Sequence, residues 1–239
     1  MKIYTQLFLV FLFTFKAAGQ QTEFGISLNS GLFSFRGPSS EKVTFLNVSQ
    51  SSVATKYYTN NPYGSNYGLL YGISINLQHI TKKNIIFGIS FGYENLRSKI
   101  SIDHISFNSN GDLGTFNIAA IGKIVLSHHF SNLVPYIGYR IKLKKFSLDL
   151  SAGSDLAYCI FAYERGSTKS EFGNKYKTSK NRSTIRFDFR PRIQSTIQYK
   201  KYGLYAAYSI GLVNYKSDYV GGVNECYSRM FRFGLTYKL

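Results

Sequence analysis

Tryptophan is absent from the chain, proline occurs four times, and cysteine and methionine occur twice each. With so little proline and no Pro- or Ser-rich stretch, nothing marks a linker, so one domain is expected. Two cysteines, Cys159 and Cys226, are too few for a disulfide framework. Carboxylates are also scarce, 12 against 29 lysines and arginines, for a net charge of +17. Past the N-terminal residues no apolar run reaches the ~20 residues that a spanning helix needs. The stretch Ile118 to Val125, for example, is broken by Gly122 and Lys123. Any later entry into a bilayer is therefore by strands, because lipid tolerates only helices and closed sheets. A transmembrane barrel or a soluble exported domain remains.

What the chain has in quantity is 20 tyrosines, 20 phenylalanines and 21 glycines, a composition suited to curved, strand-rich architecture. At its start, Lys2 precedes an apolar run from Leu7 to Phe15, and Ala17-Ala18-Gly19 stands before Gln20. That order of charge, grease and small residues predicts a secretory signal peptide over 1–19, cleaved after Gly19, and a mature domain over 20–239. Losing Lys2 and Lys16 lowers the charge from +17 to +15. Such an excess suits nucleic acid, acidic polymers or anionic lipid headgroups. Export argues against nucleic acid, and solvated loops account for most of the charge.

Alternation with a period of two runs through the mature chain. Tyr67, Leu69, Tyr71, Ile73, Ile75 and Leu77 share one parity against Gly68, Gly72, Ser74, Asn76 and Gln78. Ile85, Phe87, Ile89, Phe91 and Tyr93 repeat the pattern after Thr81-Lys82-Lys83-Asn84, which predicts a hairpin. Eight strands are expected: about Glu23 to Phe35, Tyr67 to Ile80, Asn84 to Lys99, His128 to Lys142, Phe146 to Tyr163, Ser183 to Tyr199, Gly203 to Lys216 and Cys226 to Leu239. Links at Thr81 to Lys83, Leu143 to Lys145 and Lys200 to Tyr202 are short and lysine-rich. Those at Arg36 to Asn66, Ile100 to Ser127 and Glu164 to Arg182 are long. Short turns at one end and long loops at the other are the plan of an outer-membrane barrel. Phe116 to Ser127 also alternates. Read as a separate strand it would require a tenth, from Val43 to Tyr58; an outward extension of the fourth strand keeps the number at eight.

A soluble ligand-binding barrel alternates too, with its greasy face inward. Strand length, the rhythm of the links and the aromatic last strand favour the membrane. The predicted fold is therefore all-β: a closed, antiparallel, up-and-down transmembrane β-barrel in the cell outer membrane. With aromatics facing lipid, the opposite parity places Glu94, Arg140, Asp149, Asp155, Arg186, Asp188, Arg190, Arg192 and Arg232 inside. Eight strands leave room for side chains and little else, so these charges are expected to pair into a plug and not to line an open channel.

The chain resembles the PorT-like outer-membrane β-barrel proteins, related in architecture to the OmpA and OmpX barrels. The resemblance rests on Phe24-Gly25-Ile26, Phe87-Gly88-Ile89-Ser90-Phe91-Gly92-Tyr93, Val134-Pro135-Tyr136-Ile137-Gly138-Tyr139-Arg140, Ser151-Ala152-Gly153 and Phe231-Arg232-Phe233-Gly234-Leu235-Thr236-Tyr237. It implies fold and location, and for some relatives a link to protein secretion across the envelope. It carries over no catalytic residue.

Candidate chemistry is sparse. His128-His129 with Ser127 and Ser131 is the one dense cluster, but no carboxylate lies nearby in sequence to orient a base. His79 and His104 fall too far off to complete a metal site. Neither a catalytic site, a metal nor a cofactor is expected. Cys159 and Cys226 should sit at similar height near the outer end; a disulfide would require their strands to bend together. In the long links Tyr57, Tyr58, Tyr63 and Tyr67 interleave with Asn60, Asn61 and Asn66, a mix suited to adaptable contacts. Lys169, Lys175, Lys177, Lys180 and Arg182 suit lipopolysaccharide phosphates. The expectation is a monomeric, non-enzymatic barrel with outer-membrane lipid, lipopolysaccharide and an envelope protein as partners. A small-solute channel and a lipid-modifying enzyme are the alternatives.

Overall fold

The computed structural model describes residues 21–50, 55–108, 115–218 and 223–239. The expected signal peptide lies outside these residues. Eleven strands follow in order: β1 (Gln21–Arg36), β2 (Val43–Gln50), β3 (Thr55–Thr59), β4 (Asn66–Ile80), β5 (Ile85–Asn108), β6 (Thr115–Lys142), β7 (Ser147–Ser170), β8 (Lys175–Asn181), β9 (Phe187–Tyr199), β10 (Tyr202–Ile210) and β11 (Tyr227–Lys238). Eight of them close a ring in the order β1, β4, β5, β6, β7, β9, β10, β11, and every neighbouring pair is antiparallel.

The register fixes the shape of the ring. Starting at Leu32, cross-strand partners run through Phe231, Tyr208, Ile193, Ala152, Ile137, Phe87 and His79 to Thr22, ten residues below Leu32 on the same strand. Eight strands with that stagger tilt by roughly 40° and enclose a lumen that side chains can fill. The outward parity is apolar: Phe24, Ile26 and Leu28 on β1, Ile73 and Ile75 on β4, Phe87, Ile89 and Phe91 on β5, Ile193 and Ile197 on β9, and Phe233 and Leu235 on β11 are all exposed. Phe146, Tyr199, Tyr202 and Tyr237 stand at one rim of this belt, and Tyr71, Tyr93, Tyr158 and Phe231 at the other. In water such a belt would be an aggregation surface; a bilayer with aromatic girdles at its two interfaces accounts for it. The molecule is a transmembrane β-barrel of the outer-membrane type.

Tight turns join the strands at the lower rim. In the β4–β5 turn Thr81 Oγ1 accepts from Ile85 N at 3.0 Å, and Asn84 adopts a left-handed φ of 62°. Lys200 does the same in the β9–β10 turn, with φ 52°.

At the upper rim the long links are mostly strand. β5, β6 and β7 continue well beyond the belt, β6 as one strand of 28 residues, so Phe116 to Ser127 is an outward extension of the fourth ring strand. β2 joins the outer part of β5 in parallel, β3 joins β2, and β8 joins β7. The segment Val43 to Tyr58 thus forms strands, but outside the ring, which stays at eight. Leu46, Val48, Ile100, Ile102, Ile105, Ala120 and Ile124 make a core for this extension, separate from the core at the ring's mouth. Two boundaries differ from the sequence reading. The strand expected to begin at Ser183 begins at Phe187, because Ile185 turns in against the core at the ring's mouth. The one expected to run to Lys216 stops at Ile210, because the chain folds over the mouth to bury Tyr215.

Candidate functional site

The lumen holds two tiers of buried charge. In the lower tier Arg140 of β6 donates from Nη1 and Nη2 to the Glu23 carboxylate of β1 at 2.8 and 2.9 Å. From Nε and Nη2 it donates to Asp149 of β7, both at 2.6 Å. Lys238 Nζ of β11 reaches Glu23 at 2.7 Å, and Gln198 Nε2 of β9 reaches Asp149 at 3.0 Å. In the upper tier Arg232 of β11 donates to Glu94 of β5 from Nε at 2.6 Å and to Asp155 of β7 from Nη2 at 2.6 Å, while its Nη1 donates to Ser209 at 2.6 Å. Asn132 Nδ2 donates to Glu94 at 2.6 Å, and Arg192 Nη1 lies 3.4 Å from Asp155. Above them Asp188 Oδ2 accepts from Arg190 Nε at 2.6 Å, from Tyr215 OH at 2.7 Å and from Ser228 Oγ at 2.8 Å. Arg190 also lies over the Phe130 ring, 4.2 Å from its centroid.

The Arg140–Glu23, Arg232–Glu94 and Arg232–Asp155 pairs tie strands that are not neighbours, so each tier spans the ring. Buried ion pairs contribute little net stability against the cost of dehydrating both partners, but a slipped register would leave a charge alone in the lumen. Two luminal glycines are required by the same packing. The Tyr136 ring lies over Gly88 and the Tyr205 ring over Gly234, where an added Cβ would stand 2.1 and 2.3 Å from ring carbons. Between the tiers remains a polar cavity of about 80 Å3, bordered by Asn76, Ser90, Tyr136, Gln194 and Thr196 among others.

The upper mouth is sealed by apolar side chains. Phe35 packs edge-on against Phe33, Tyr63, His128 and Tyr215, with centroids 4.9 to 5.6 Å apart. Leu70, Leu96, Leu126, Phe130 and Met230 complete the plug. Cys159 and Cys226 both lie buried within it as free thiols. Burial pushes the Cys226 thiol up to about 12.

Of the residues read as luminal, Glu94, Arg140, Asp149, Asp155, Asp188, Arg190 and Arg232 are buried and Arg192 nearly so. Arg186 is exposed. The inward turn at Ile185 breaks the alternation there and leaves Arg186 on the outside, with its carbonyl accepting from Cys159 N at 2.8 Å. Glu23 and Lys238 belong to the lower tier, and parity against Phe24 and Tyr237 was the signal for them. Tyr215 had none, because its position depends on a fold-back of the chain.

The histidines occupy structural settings. His128 is enclosed by the plug, with Nε2 3.4 Å from Thr184 Oγ1. His129 stacks on Phe161 and meets Tyr93 OH and Asn95. His79 meets Thr22 Oγ1 at 3.1 Å, and His104 stacks on Phe45 beside Asp103.

The extension is pinned by Glu164 of β7, which is fully buried. Its Oε1 accepts from Thr59 N of β3 at 3.1 Å and from Thr178 Oγ1 of β8 at 2.8 Å, and its Oε2 accepts from Arg182 Nε at 2.6 Å. Arg182 also donates to Thr59 O, Tyr57 packs on Tyr176, and Lys180 lies over the Tyr58 ring. β3 and β8 are thereby clasped side by side. Of the Tyr and Asn set of the first link, Tyr63 is in the plug and Asn61 is buried with Nδ2 donating to Ser39 O at 2.9 Å, while Tyr57, Asn60 and Tyr67 are exposed and Asn66 Nδ2 donates to Lys42 O at 3.0 Å near the surface. Among the basic residues singled out in the third link, Lys169, Lys175 and Lys177 face outward, while Lys180 and Arg182 serve the clasp.

No family model matches the chain, so the PorT-like resemblance is not confirmed, and no curated protein matches it. Among solved structures, Ail, the attachment invasion locus protein of Yersinia pestis, crystallised in complex with the heparin analogue sucrose octasulfate, is similar at 10% identity and a TM-score of 0.30, over 93% of this chain and 100% of that one. Neisserial surface protein A is similar at 10% identity and a TM-score of 0.34, over 92% and 99%. The translocator domain of the autotransporter NalP from Neisseria meningitidis gives 12% identity and 0.28, over 99% and 94%. The barrel assignment itself rests on the closed ring, its register and its apolar belt.

Proposed function

We propose that this protein is a non-enzymatic, monomeric outer-membrane anchor whose upper extension is a rigid display surface for another component of the cell envelope. The observation that carries the reading is the extension's own architecture. Strands that have already crossed the bilayer continue outward, recruit β2, β3 and β8, and enclose a second apolar core clasped by Glu164. Ordering that much backbone is costly, at about 1–2 kcal/mol per residue, and a barrel that only needed to sit in the membrane would gain nothing from it. Rigid scaffolds that present outer segments are a common way to position a binding surface. The two charged tiers and the aromatic plug disfavour the channel reading, and the settings of His128 and His129 disfavour the enzyme reading.

A photo-reactive residue placed in intact cells at exposed Phe172, at the tip of the extension, tests this against one at Lys144 in a lower turn. The reading expects a discrete adduct from position 172 and none from 144. Adducts confined to position 144, or steady ion conductance by the purified protein in a planar bilayer, would contradict it.

A further inference from the structure

The outward face of β5, β6, β7 and β8 beyond the belt carries a regular array of cations. Lys99, Val125, Arg165 and Ser179 form one cross-strand row, and Ser101, Lys123, Ser167 and Lys177 form the next one outward. Ile121, Lys169 and Lys175 form a third. The alternate residues, Ile100, Ile124, Leu126, Glu164, Thr168 and Thr178, are buried, so all six cations face outward, and all six are exposed. None of them forms an ion pair among the described residues. Lys169 and Lys175 are direct cross-strand partners, an arrangement of like charges that is unfavourable unless something anionic lies over it. Neighbouring strands stand ~4.8 Å apart and successive rows ~7 Å apart, so the array covers a patch on the order of 15 Å square.

Two features specify what would cover it. The patch is continuous with the lipid-facing surface: below Lys99 and Arg165 come Arg97 and Tyr163, then Tyr93, His129 and Phe161 at the edge of the belt. Arg97 itself is laid against Tyr71, with Nη2 donating to its hydroxyl at 2.9 Å. Arg97 therefore lies one row beyond the edge of the belt, and the lowest row of the array two rows, roughly 13 Å along the strands. The array also climbs: Lys169 and Lys175 stand two rows, roughly 13 Å along the strands, beyond that level. Simple phospholipid phosphates, all at one height near the edge of the belt, would reach at most the nearest of these cations. A headgroup with anionic groups at several heights meets all three.

We infer that this face docks the phosphorylated saccharide headgroups of glycolipids in the surrounding outer leaflet. The inference rests on the extension being the recognition element, and it names Lys99, Lys123, Arg165, Lys169, Lys175 and Lys177 as the contacts. Lysine and arginine meet phosphate oxygens by charge-assisted hydrogen bonds, and an array of them holds an extended polyanion without needing a pocket.

The test is fluorescence anisotropy of dye-labelled lipopolysaccharide titrated with the full chain in zwitterionic detergent. The variant with Lys123, Lys169, Lys175 and Lys177 all changed to Ser is compared with a control that changes Lys82, Lys83, Lys144 and Lys145 to Ser in the lower turns. Both lose the same charge, and folding is checked by a boiling-dependent gel shift. The inference expects the first variant to weaken binding by roughly tenfold or more, the control to bind as the parent does, and dephosphorylated lipopolysaccharide to bind weakly to every form. Equal affinity of the two variants, or equal binding of dephosphorylated lipopolysaccharide, would overturn it. If the first variant lost affinity only for soluble inorganic polyphosphate, the partner would lie in solution and the membrane assignment would fail. If lipopolysaccharide binding were unaffected while the cross-linker at position 172 still trapped an envelope component, the glycolipid inference would fail and the display reading would stand.

Discussion

Arg232 on β11 and Glu94 on β5 lie 138 residues apart in the chain, yet meet inside the barrel, with Nε donating to Oε1 at 2.6 Å and Nη2 to Oε2 at 2.9 Å. Arg232 also holds Asp155, so Arg232→Ala would leave two buried carboxylates without their shared partner. Breaking a buried pair in this way costs about 3–5 kcal/mol, with Arg190 and Arg192 nearby moving this site toward the lower end. Urea titration followed by the unboiled gel shift should show the midpoint falling well below the parent's. Arg232→Met combined with Glu94→Gln and Asp155→Asn, which removes all three charges together, should be milder than Arg232→Ala alone.

Glu164 separates the stability of the extension from that of the ring. Glu164→Ala removes the acceptor for Thr59, Thr178 and Arg182 and should loosen β3 and β8 while the ring stays closed. Limited proteolysis of intact cells should then cut within 55–59 or 175–181 much faster than in the parent. The gel shift of the remaining barrel should be retained.

Much of this was legible in the sequence, and the boundary is physical. A strand's period of two displays its two faces directly, so the ring strands, the belt and the charges opposite it could be read off, and the same parity pointed to Glu23 and Lys238. The extension was legible in part: Phe116 to Ser127 reads as an outward continuation of the fourth strand and Val43 to Tyr58 as a candidate strand, while β8 falls in what reads as a loop. β8 is short and polar, as loops are, and the core that it and β2 cover is completed by Ile100, Ile105 and Ile124 from strands far along the chain. Arg186 and Tyr215 were missed for a related reason: both sit where the backbone leaves strand geometry, and parity says nothing there.

The glycines under the luminal tyrosines make a steric prediction. Gly234→Val would drive a branched side chain into the Tyr205 ring, and Gly88→Val into that of Tyr136. Each should destabilise the barrel by about 1–3 kcal/mol through overpacking. Pairing Gly234→Val with Tyr205→Ala should recover part of the loss in the same urea titration.

Cys226 lies in the plug with its thiol pushed up to about 12 by burial, so at pH 8 it stays protonated as well as shielded. Cys159 is buried beside the same plug. Neither should react with a maleimide in the folded barrel, and both should react once the protein is boiled in detergent. Migration with and without reductant should be the same, since both thiols are free.

The most direct test of the central claim, a closed eight-stranded barrel embedded in the outer membrane, is the gel mobility of the detergent-extracted outer-membrane fraction before and after boiling. A ring sealed by its own register and tied through its lumen should survive unboiled sample buffer and migrate differently from the boiled chain. Recovery of the protein in the soluble fraction, with the same mobility boiled or unboiled, would contradict the account.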